Sequence, residues 1–403
     1  MRADLAARLG QIRWNLHPLW GLAPRVDHKN DGLVESNLLS LSYGQVVRKD
    51  INEIGGLRPD SYETYNIIAP GDTVLRMTDL QNDQRSIRTG LATERGIITS
   101  AYITVRPDGD KVEPRFLHSV LRAYDIKKTF YEMGVGVRQT LKYAELADLP
   151  IPLPPRDTQR AIADYLDRET GEIDAMLAKL DVLNEALNSR RASVVERETV
   201  ARSGSLTRLK FCADISLGKT FQGARKSDYE TSVNYVRAAS IQPGGLELDD
   251  QRMWMTQEEQ RKYDLRKDDV LVVEGGAGFG RSALLTQDMP GWGFQNHVIR
   301  VRRDQHHDGR FLNYCVKGHY SSGLIGLLAD GATIPGLSSD KAKNLPIPDM
   351  SLEEQQRIAD HLDEVTGRID AMLAKVTELK ALLVERRAAL ITDVVTGRKK
   401  VPA

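Results

Sequence analysis

A block of 32 residues occurs twice in this chain, and that duplication constrains the fold more than any other feature. Leu149 to Leu180 reads LPIPLPPRDTQRAIADYLDRETGEIDAMLAKL, and Leu345 to Val376 reads LPIPDMSLEEQQRIADHLDEVTGRIDAMLAKV. The blocks align without a gap at an offset of 196, with 19 of 32 positions identical. A segment that recurs at this fidelity marks copies of one structural unit. The regions before each block echo one another at offsets of 195 to 197: Val105-Arg106 with Val301-Arg302, Arg115-Phe116-Leu117 with Arg310-Phe311-Leu312, Gly134 with Gly331, and Leu141 with Leu337. The chain therefore reads as two tandem copies, each a globular region followed by a repeated region, with internal pseudo-two-fold symmetry. The expected divisions are 1–148, 149–200, 201–344 and 345–403, the last ending in a basic tail, Arg398-Lys399-Lys400.

The repeated regions are helical by pattern. Prolines close the extended Leu-Pro-Ile-Pro segment and favour a helix start just beyond it. After Pro155, residues 156–200 hold a single glycine, Gly171, and no proline. Leu166, Ile173, Leu180 and Leu187 recur every seven residues, as do Leu362, Ile369, Val376 and Leu383. This is a heptad seam, with Met176, Leu183, Met372 and Leu379 at intervening positions. Each helix runs roughly 45 residues, about 65 Å. So narrow an apolar stripe needs a partner, and antiparallel pairing of the two copies suits the symmetry. Gly171 and Gly367 occupy equivalent positions and are expected to kink or to make a close contact. The helical stretches 156–200 and 352–397 each carry a net charge of −3. The whole chain balances 56 basic against 56 acidic residues, so everything else sums to +6.

The globular regions mix short strands and helices, which makes the fold class α+β. Ile97 to Val105 and His297 to Val301 read as strands, and Glu113 to Tyr124 and Gly309 to Tyr320 as helices. Two loops follow copy-matched strands yet differ completely: RMTDLQNDQRSIRTG from Arg76, and EGGAGFGRS from Glu274. A matched scaffold with unlike loops suggests two recognition surfaces reading different things. In the first loop Arg76, Thr78, Gln81, Arg85 and Arg88 have the chemistry to pair phosphates and base edges. In the second, Gly276 lets backbone approach a phosphate, Phe279 offers a stacking ring, and Arg281 a charge. Arg138, Lys219 and Thr333 lie in further divergent loops and join these candidates.

Composition and missing motifs narrow the function classes. The 403 residues are 41% hydrophobic and 28% charged, ordinary for a globular protein. No apolar run reaches membrane-spanning length, and Met1 to Gly10 does not read as a signal peptide. Cys212 and Cys315 are too few for a disulfide framework or a cysteine-rich zinc site, and a reducing cytoplasmic setting is expected. The glycine run at 275–280 fits neither phosphate-binding fingerprint. The eight histidines show no metal-ligand spacing, and no nucleophile motif is present. A binding protein without metal or cofactor is expected. A scaffold whose coiled coil joins two protein-binding domains, or an enzyme with an unfamiliar site, are the other readings.

Two variable regions, each followed by a long helix led by Leu-Pro-Ile-Pro, resemble the specificity subunits of type I restriction–modification systems. The resemblance covers nearly the whole chain and is carried by L-P-I-P-x(6)-Q at Leu149 to Gln159 and Leu345 to Gln355, and by the helix starts at Ile162 and Ile358. It implies two target-recognition domains, each gripping one half of a split site on double-stranded DNA, and paired helices that set the gap. It also implies that two adenine methyltransferase subunits dock on the chain and that motor-nuclease subunits join them, for DNA methylation and defence against phage. S-adenosylmethionine, ATP and magnesium would belong to those partners, leaving this chain without catalysis of its own.

Overall fold

The computed structural model describes residues 2–50, 59, 61–83, 86–133, 140–202, 204–276, 278–329 and 336–402. They form two α+β units. Unit 1 is built from residues 1–180 together with 378–403, and unit 2 from residues 181–377. The strands of unit 1 are β1 (Leu16–Pro18), β2 (Leu39–Ser42), β3 (Gln45–Arg48), β4 (Asn66–Ile68), β5 (Thr73–Leu75), β6 (Thr89–Leu91), β7 (Gly96–Ile98), β8 (Ile103–Val105) and β9 (Pro150–Pro152). They pair antiparallel as β6-β5-β8, β4-β7, β2-β3 and β1-β9. The single strand expected over 97–105 is interrupted, because the Tyr102 N–H turns back onto the Thr99 carbonyl at 3.1 Å.

The strands of unit 2 are β10 (Leu206–Arg208), β11 (Ala213–Leu217), β12 (Glu230–Val236), β13 (Ile241–Gln242), β14 (Gly245–Leu246), β15 (Arg252–Thr256), β16 (Asp269–Val273), β17 (Ser282–Leu284), β18 (Trp292–Phe294), β19 (Val298–Arg303) and β20 (Pro346–Pro348). Here the sheets are β11-β19-β16-β17, β15-β12-β18, β13-β14 and β10-β20. Each unit packs one amphipathic domain helix on its sheet. Pro114–Ile126 buries Phe116, Leu117, Val120, Leu121 and Tyr124, and Gly309–Ser321 buries Phe311, Leu312, Cys315 and Val316.

The same polar joints recur in both units. Asp72 takes a two-pronged bond from Arg106 at 2.8 and 2.7 Å, and Asp269 takes the same from Arg302 at 2.8 and 2.7 Å. Glu113 and Asp308 accept the Phe116 and Phe311 N–H groups at the start of each domain helix, at 2.7 and 3.0 Å. This is the ordinary way to satisfy an orphan helix donor. In Pro-Ile-Pro only the isoleucine has an N–H to give, so the segment serves as a two-strand edge, β9 on β1 and β20 on β10. The domain helix takes up a leftover carbonyl: Tyr124 Oη donates to Pro150 at 2.5 Å, and His319 Nε2 bonds Pro346 at 2.6 Å. Seven residues past the last proline of each Pro-Ile-Pro, a buried glutamine locks the turn into the long helix. Gln159 Oε1 accepts the Glu113 N–H at 2.8 Å and Nε2 donates to Pro154 at 2.8 Å. Gln355 does likewise with Asp308 and Met350, at 3.0 and 3.1 Å.

The long helices are Arg156–Glu198 and Leu352–Val395. Each contributes to both units. In unit 1, Leu166 of the first shares a core with Leu390, Ile391 and Val394 of the second. In unit 2, Val195 shares one with Leu362. Arg387 pairs with Asp174 at 2.9 Å in unit 1, and Arg191 with Asp370 at 3.1 Å in unit 2. In unit 1, Leu166 shares a core with Leu390, Ile391 and Val394 while Asp174, further along, meets Arg387. In unit 2, Arg191 meets Asp370 while Val195, further along, shares a core with Leu362. The two helices therefore run antiparallel in each unit. The second pair is also the first moved by 196 residues, with the helices exchanged.

Leu166, Ile173, Leu187, Leu362, Ile369, Val376 and Leu383 are buried, while Leu180 is half-buried. The intervening Met176, Leu183, Met372 and Leu379 are 44–49% exposed, so the seam is one residue wide rather than two. Gly171 and Gly367 correct an expectation: both helices run through them, and an added Cβ would meet nothing within 4 Å. No break in either helix falls at them, and neither glycine is required by a close neighbour.

Replacing Gln159 or Gln355 by leucine strands a buried N–H, at a cost of about 1–3 kcal/mol. Each substitution is expected to lower the unfolding midpoint in a denaturant titration. A second expectation follows from His118 in unit 1. Its Nε2 has no hydrogen-bond partner among the described residues, and burial, with Arg122 and Arg387 adding to it, pushes its pKa down to about 3. The unfolded chain then takes up this proton near pH 6.5, before the folded one does. Stability must fall as pH drops below that point. Thermal melts at pH 7 and pH 5 are expected to differ more for the native chain than for His118→Phe.

Candidate nucleic-acid interface

Both divergent loops leave the end of a buried strand and return to the same sheet, so their bases are fixed and their tips are free. In unit 1 the chain leaves β5 at Leu75 and re-enters at β6. The Arg76 N–H donates to the Arg88 carbonyl at 2.8 Å and closes the loop. Asp79 adopts a left-handed φ of 56° and accepts from Asn82 Nδ2 at 2.7 Å. Gln81 and Asn82 are exposed at the tip, and Arg76 and Thr78 are half-buried.

Arg88 is not a surface group. It is 0% exposed, and its guanidinium donates to the carbonyls of Thr78 at 2.9 Å, Asp79 at 3.3 Å and Asp83, with Tyr131 Oη at 3.2 Å. Asp125 accepts the Arg88 N–H at 2.6 Å. Arg88 is the post around which the loop is wound, because carbonyls that would otherwise be stranded meet five N–H donors in one rigid fork. It therefore holds the loop and is unavailable to a ligand.

In unit 2 the loop from β16 to β17 is shorter and turns on glycine. Gly276 is exposed with φ +84°, and Gly280 has φ +76° with the Tyr320 ring 2.6 Å from where a Cβ would stand. Phe279 is half-buried and packs against the main core of the unit. Arg281 is half-buried and donates to Gln242 Oε1 at 3.3 Å. A recess of about 630 Å³ opens beside it, lined by Gly275, Gly276, Gly278, Gln242 and His297. His297 Nδ1 lies 3.2 Å from Glu274. Lys219 is placed elsewhere: it is 9% exposed and ion-paired to Glu259, which neutralises it. Arg85, Arg138 and Thr333 lie outside the described residues.

The structure adds groups that the sequence reading did not single out. A two-residue turn, Tyr43-Gly44, tips the β2-β3 hairpin with φ of 47° and 78°, and leaves Tyr43 93% exposed. Pro243-Gly244 tips the β13-β14 hairpin beside Gln242. The signal was there: Tyr-Gly between Leu-Ser-Leu-Ser and Gln-Val-Val-Arg is a short-hairpin pattern. Among the described residues, no group of three His, Cys, Asp or Glu side chains is placed to hold a metal, and no helix is long and apolar enough to cross a membrane.

Residues 208–381 match the model of the type I restriction modification DNA specificity domain. Two curated relatives are specificity subunits. That of the type I restriction enzyme StySPI from Salmonella potsdam is 25% identical over 283 residues, covering 64% of this chain and 60% of that protein. That of MjaVIII from Methanocaldococcus jannaschii is 22% identical over 306 residues, covering 69% of each. Over these stretches the chain is similar to type I specificity subunits. The match to the StySPI subunit spans about three fifths of that protein's length.

Solved structures from type I R-M systems share the fold. A chain from a type I R-M system solved for its complex assembly and conformational transition superposes with a TM-score of 0.72 at 16% identity, covering 95% of this chain and 97% of that one. The HsdS subunit from Thermoanaerobacter tengcongensis gives 0.54 at 16% identity, covering 96% and 97%. Within this frame, loop posts and loop tips have separable roles. Arg88→Ala is expected to destabilise the chain on the order of 3 kcal/mol, since several carbonyls lose charged donors. Gln81→Ala at the tip is expected to stay within about 0.5 kcal/mol. Denaturant titrations of the two variants check this directly.

Proposed function

We propose that this chain is the DNA sequence-reading subunit of a type I restriction–modification complex in the cytoplasm, and that it is not itself an enzyme. Each unit grips one half of a bipartite site on double-stranded DNA. The observation that carries this reading is the duplicated scaffold with unlike loops: the Asp72–Arg106 and Asp269–Arg302 joints are the same, whereas the loops from Arg76 and Glu274 share nothing. Two copies of one frame with different tips suit a ligand whose halves have the same backbone and different bases. Arg76, Thr78, Gln81, Gly276 and Arg281 remain the candidate contacts, with Arg85, Arg138 and Thr333 beyond the described residues.

The two long helices act as the spacer between half-sites, and as the seat for two adenine methyltransferase subunits. Motor-nuclease subunits join for restriction. S-adenosylmethionine, ATP and magnesium belong to those partners. The matched ion pairs Arg387–Asp174 and Arg191–Asp370 support an antiparallel register for the spacer, and the exposed Met176, Leu183, Met372 and Leu379 support a face left for partner helices.

The spacer is tested by lengthening it. Four residues inserted after Asp181 and four after Leu379, one insertion in each long helix, add about 6 Å to each with a turn of only about 40°. Duplex DNA rises about 3.4 Å per base pair. The complex is expected to methylate a site with the same half-sequences and a gap longer by one or two base pairs, read by sequencing methylated adenines in cells that also carry the methyltransferase. An unchanged gap with retained activity contradicts the spacer; changed half-sequences contradict the division of labour between helices and loops.

A further inference from the structure

Two cavities in this chain are copies of one another. In unit 2, a cavity of about 340 Å³ lies between the first long helix, the domain helix Gly309–Ser321, the hairpin tip at Pro243 and the start of β17. In unit 1, one of about 250 Å³ lies between the second long helix, the domain helix Pro114–Ile126 and the approach to β6 at Ser86-Ile87. The linings correspond at offsets of 195 or 196: Arg122 with Lys317, Arg191 with Arg387, Ala192 with Ala388 and Val195 with Ile391.

Each cavity gathers three basic side chains over a largely apolar floor, with the Asp125 carboxylate also on the wall in unit 1. The basic groups are Arg122, Lys128 and Arg387 in unit 1, and Lys317, Arg281 and Arg191 in unit 2. The long-helix arginines are balanced by Asp174 and Asp370. The domain-helix cations are not. Arg122 Nη2 donates to the neutral Gly44 carbonyl at 2.7 Å and makes no ion pair among the described residues. Lys317 makes no ion pair among them either, although Asp370 and Asp363 are close enough to draw on it. Burial, and then repulsion from Arg387 despite the pull of Asp125, pushes Arg122 down to about 10. Burial and Arg191 lower Lys317 in the same way. Crowding cations into an apolar recess is costly unless an anion arrives.

We propose that each cavity seats one backbone phosphate of the bound duplex, one per half-site. This rests on the DNA-reading function above and deepens it. The loops differ between copies, so they suit what differs between half-sites; the cavities match, so they suit what is alike. Phosphate is alike at every base pair and carries register rather than sequence. In unit 2, Arg281 and Gln242 line both this cavity and the glycine-walled recess next to it, so the cationic seat is continuous with the loop tip.

The test uses the full chain with its methyltransferase and two duplexes, one of random sequence and one carrying the methylated site, with binding measured across salt concentration. Lys317→Gln and Arg122→Gln are each expected to make the slope of log K against log salt shallower by about 0.9, and together by about twice that. Both duplexes should lose affinity alike, and Lys317→Arg should keep the native slope. Lys317→Met, which suits the apolar floor, stands in if the amide unfolds unit 2, and Arg122→Lys separates loss of charge from loss of the Gly44 bond. An unchanged slope overturns the proposal, as does a loss confined to one sequence. So does unchanged DNA binding with loss of the methyltransferase, which would give the cavities to a carboxylate of that protein. If the native complex binds neither duplex, the DNA-reading function itself fails.

Discussion

Each long helix is tied to its globular domain through a strand with a single N–H to give. Pro-Ile-Pro can pair along one edge only, and the rest of the joint is arranged around that deficit. β1 or β10 takes the strand, Tyr124 or His319 takes a spare carbonyl, and Gln159 or Gln355 bonds the turn that follows. The glutamine reaches the N-terminus of the domain helix, where Glu113 or Asp308 also sits. One cluster of hydrogen bonds therefore fixes three things at once: where the long helix starts, where the domain helix starts, and how the two meet. A helix held this firmly at its root can carry position along its length.

Around these roots the chain keeps repeated joints and free tips apart. The bidentate Asp–Arg pairs, the capped domain helices and the ion pairs across the seam repeat in both units. Arg115 reaching Asp167 at 2.7 Å and Arg310 reaching Asp360 at 2.7 Å brace each domain helix against its long helix in the same way. What does not repeat is the loop content, and even there the construction differs in kind. One loop is wound around a buried arginine, while the other turns on glycines with positive φ. The same strand-to-strand frame thus carries two different ways of building a loop.

Much of this was legible in the residues, and the misses have physical causes. The duplication and the seven-residue spacing are statements about identity and about which side chains share a helical face, and the burial of Ile173, Leu187, Ile369 and Val376 reflects that geometry. The intervening Met176 and Leu183 looked equivalent to them by spacing. Their exposure depends on how close the second helix lies, which spacing does not encode. Gly171 suggested a kink, but a glycine in a helix that is held at its root and braced along its length simply remains helical. Arg88 looked like a surface group because charged residues in polar loops usually are. Only the fold reveals three loop carbonyls converging on one guanidinium. Lys219 misled for a similar reason, with Glu259 40 residues away in sequence.

The two units differ in how the chain is spent on them. Unit 2 is one continuous stretch, whereas the core of unit 1 is completed by Leu390, Ile391, Val394 and Val395, more than two hundred residues after its sheet. During synthesis the second unit can finish folding while the first, though begun earlier, still exposes the face that those residues will cover. The earlier-made half of the described chain is thus the later to close, because its core waits for Leu390 to Val395.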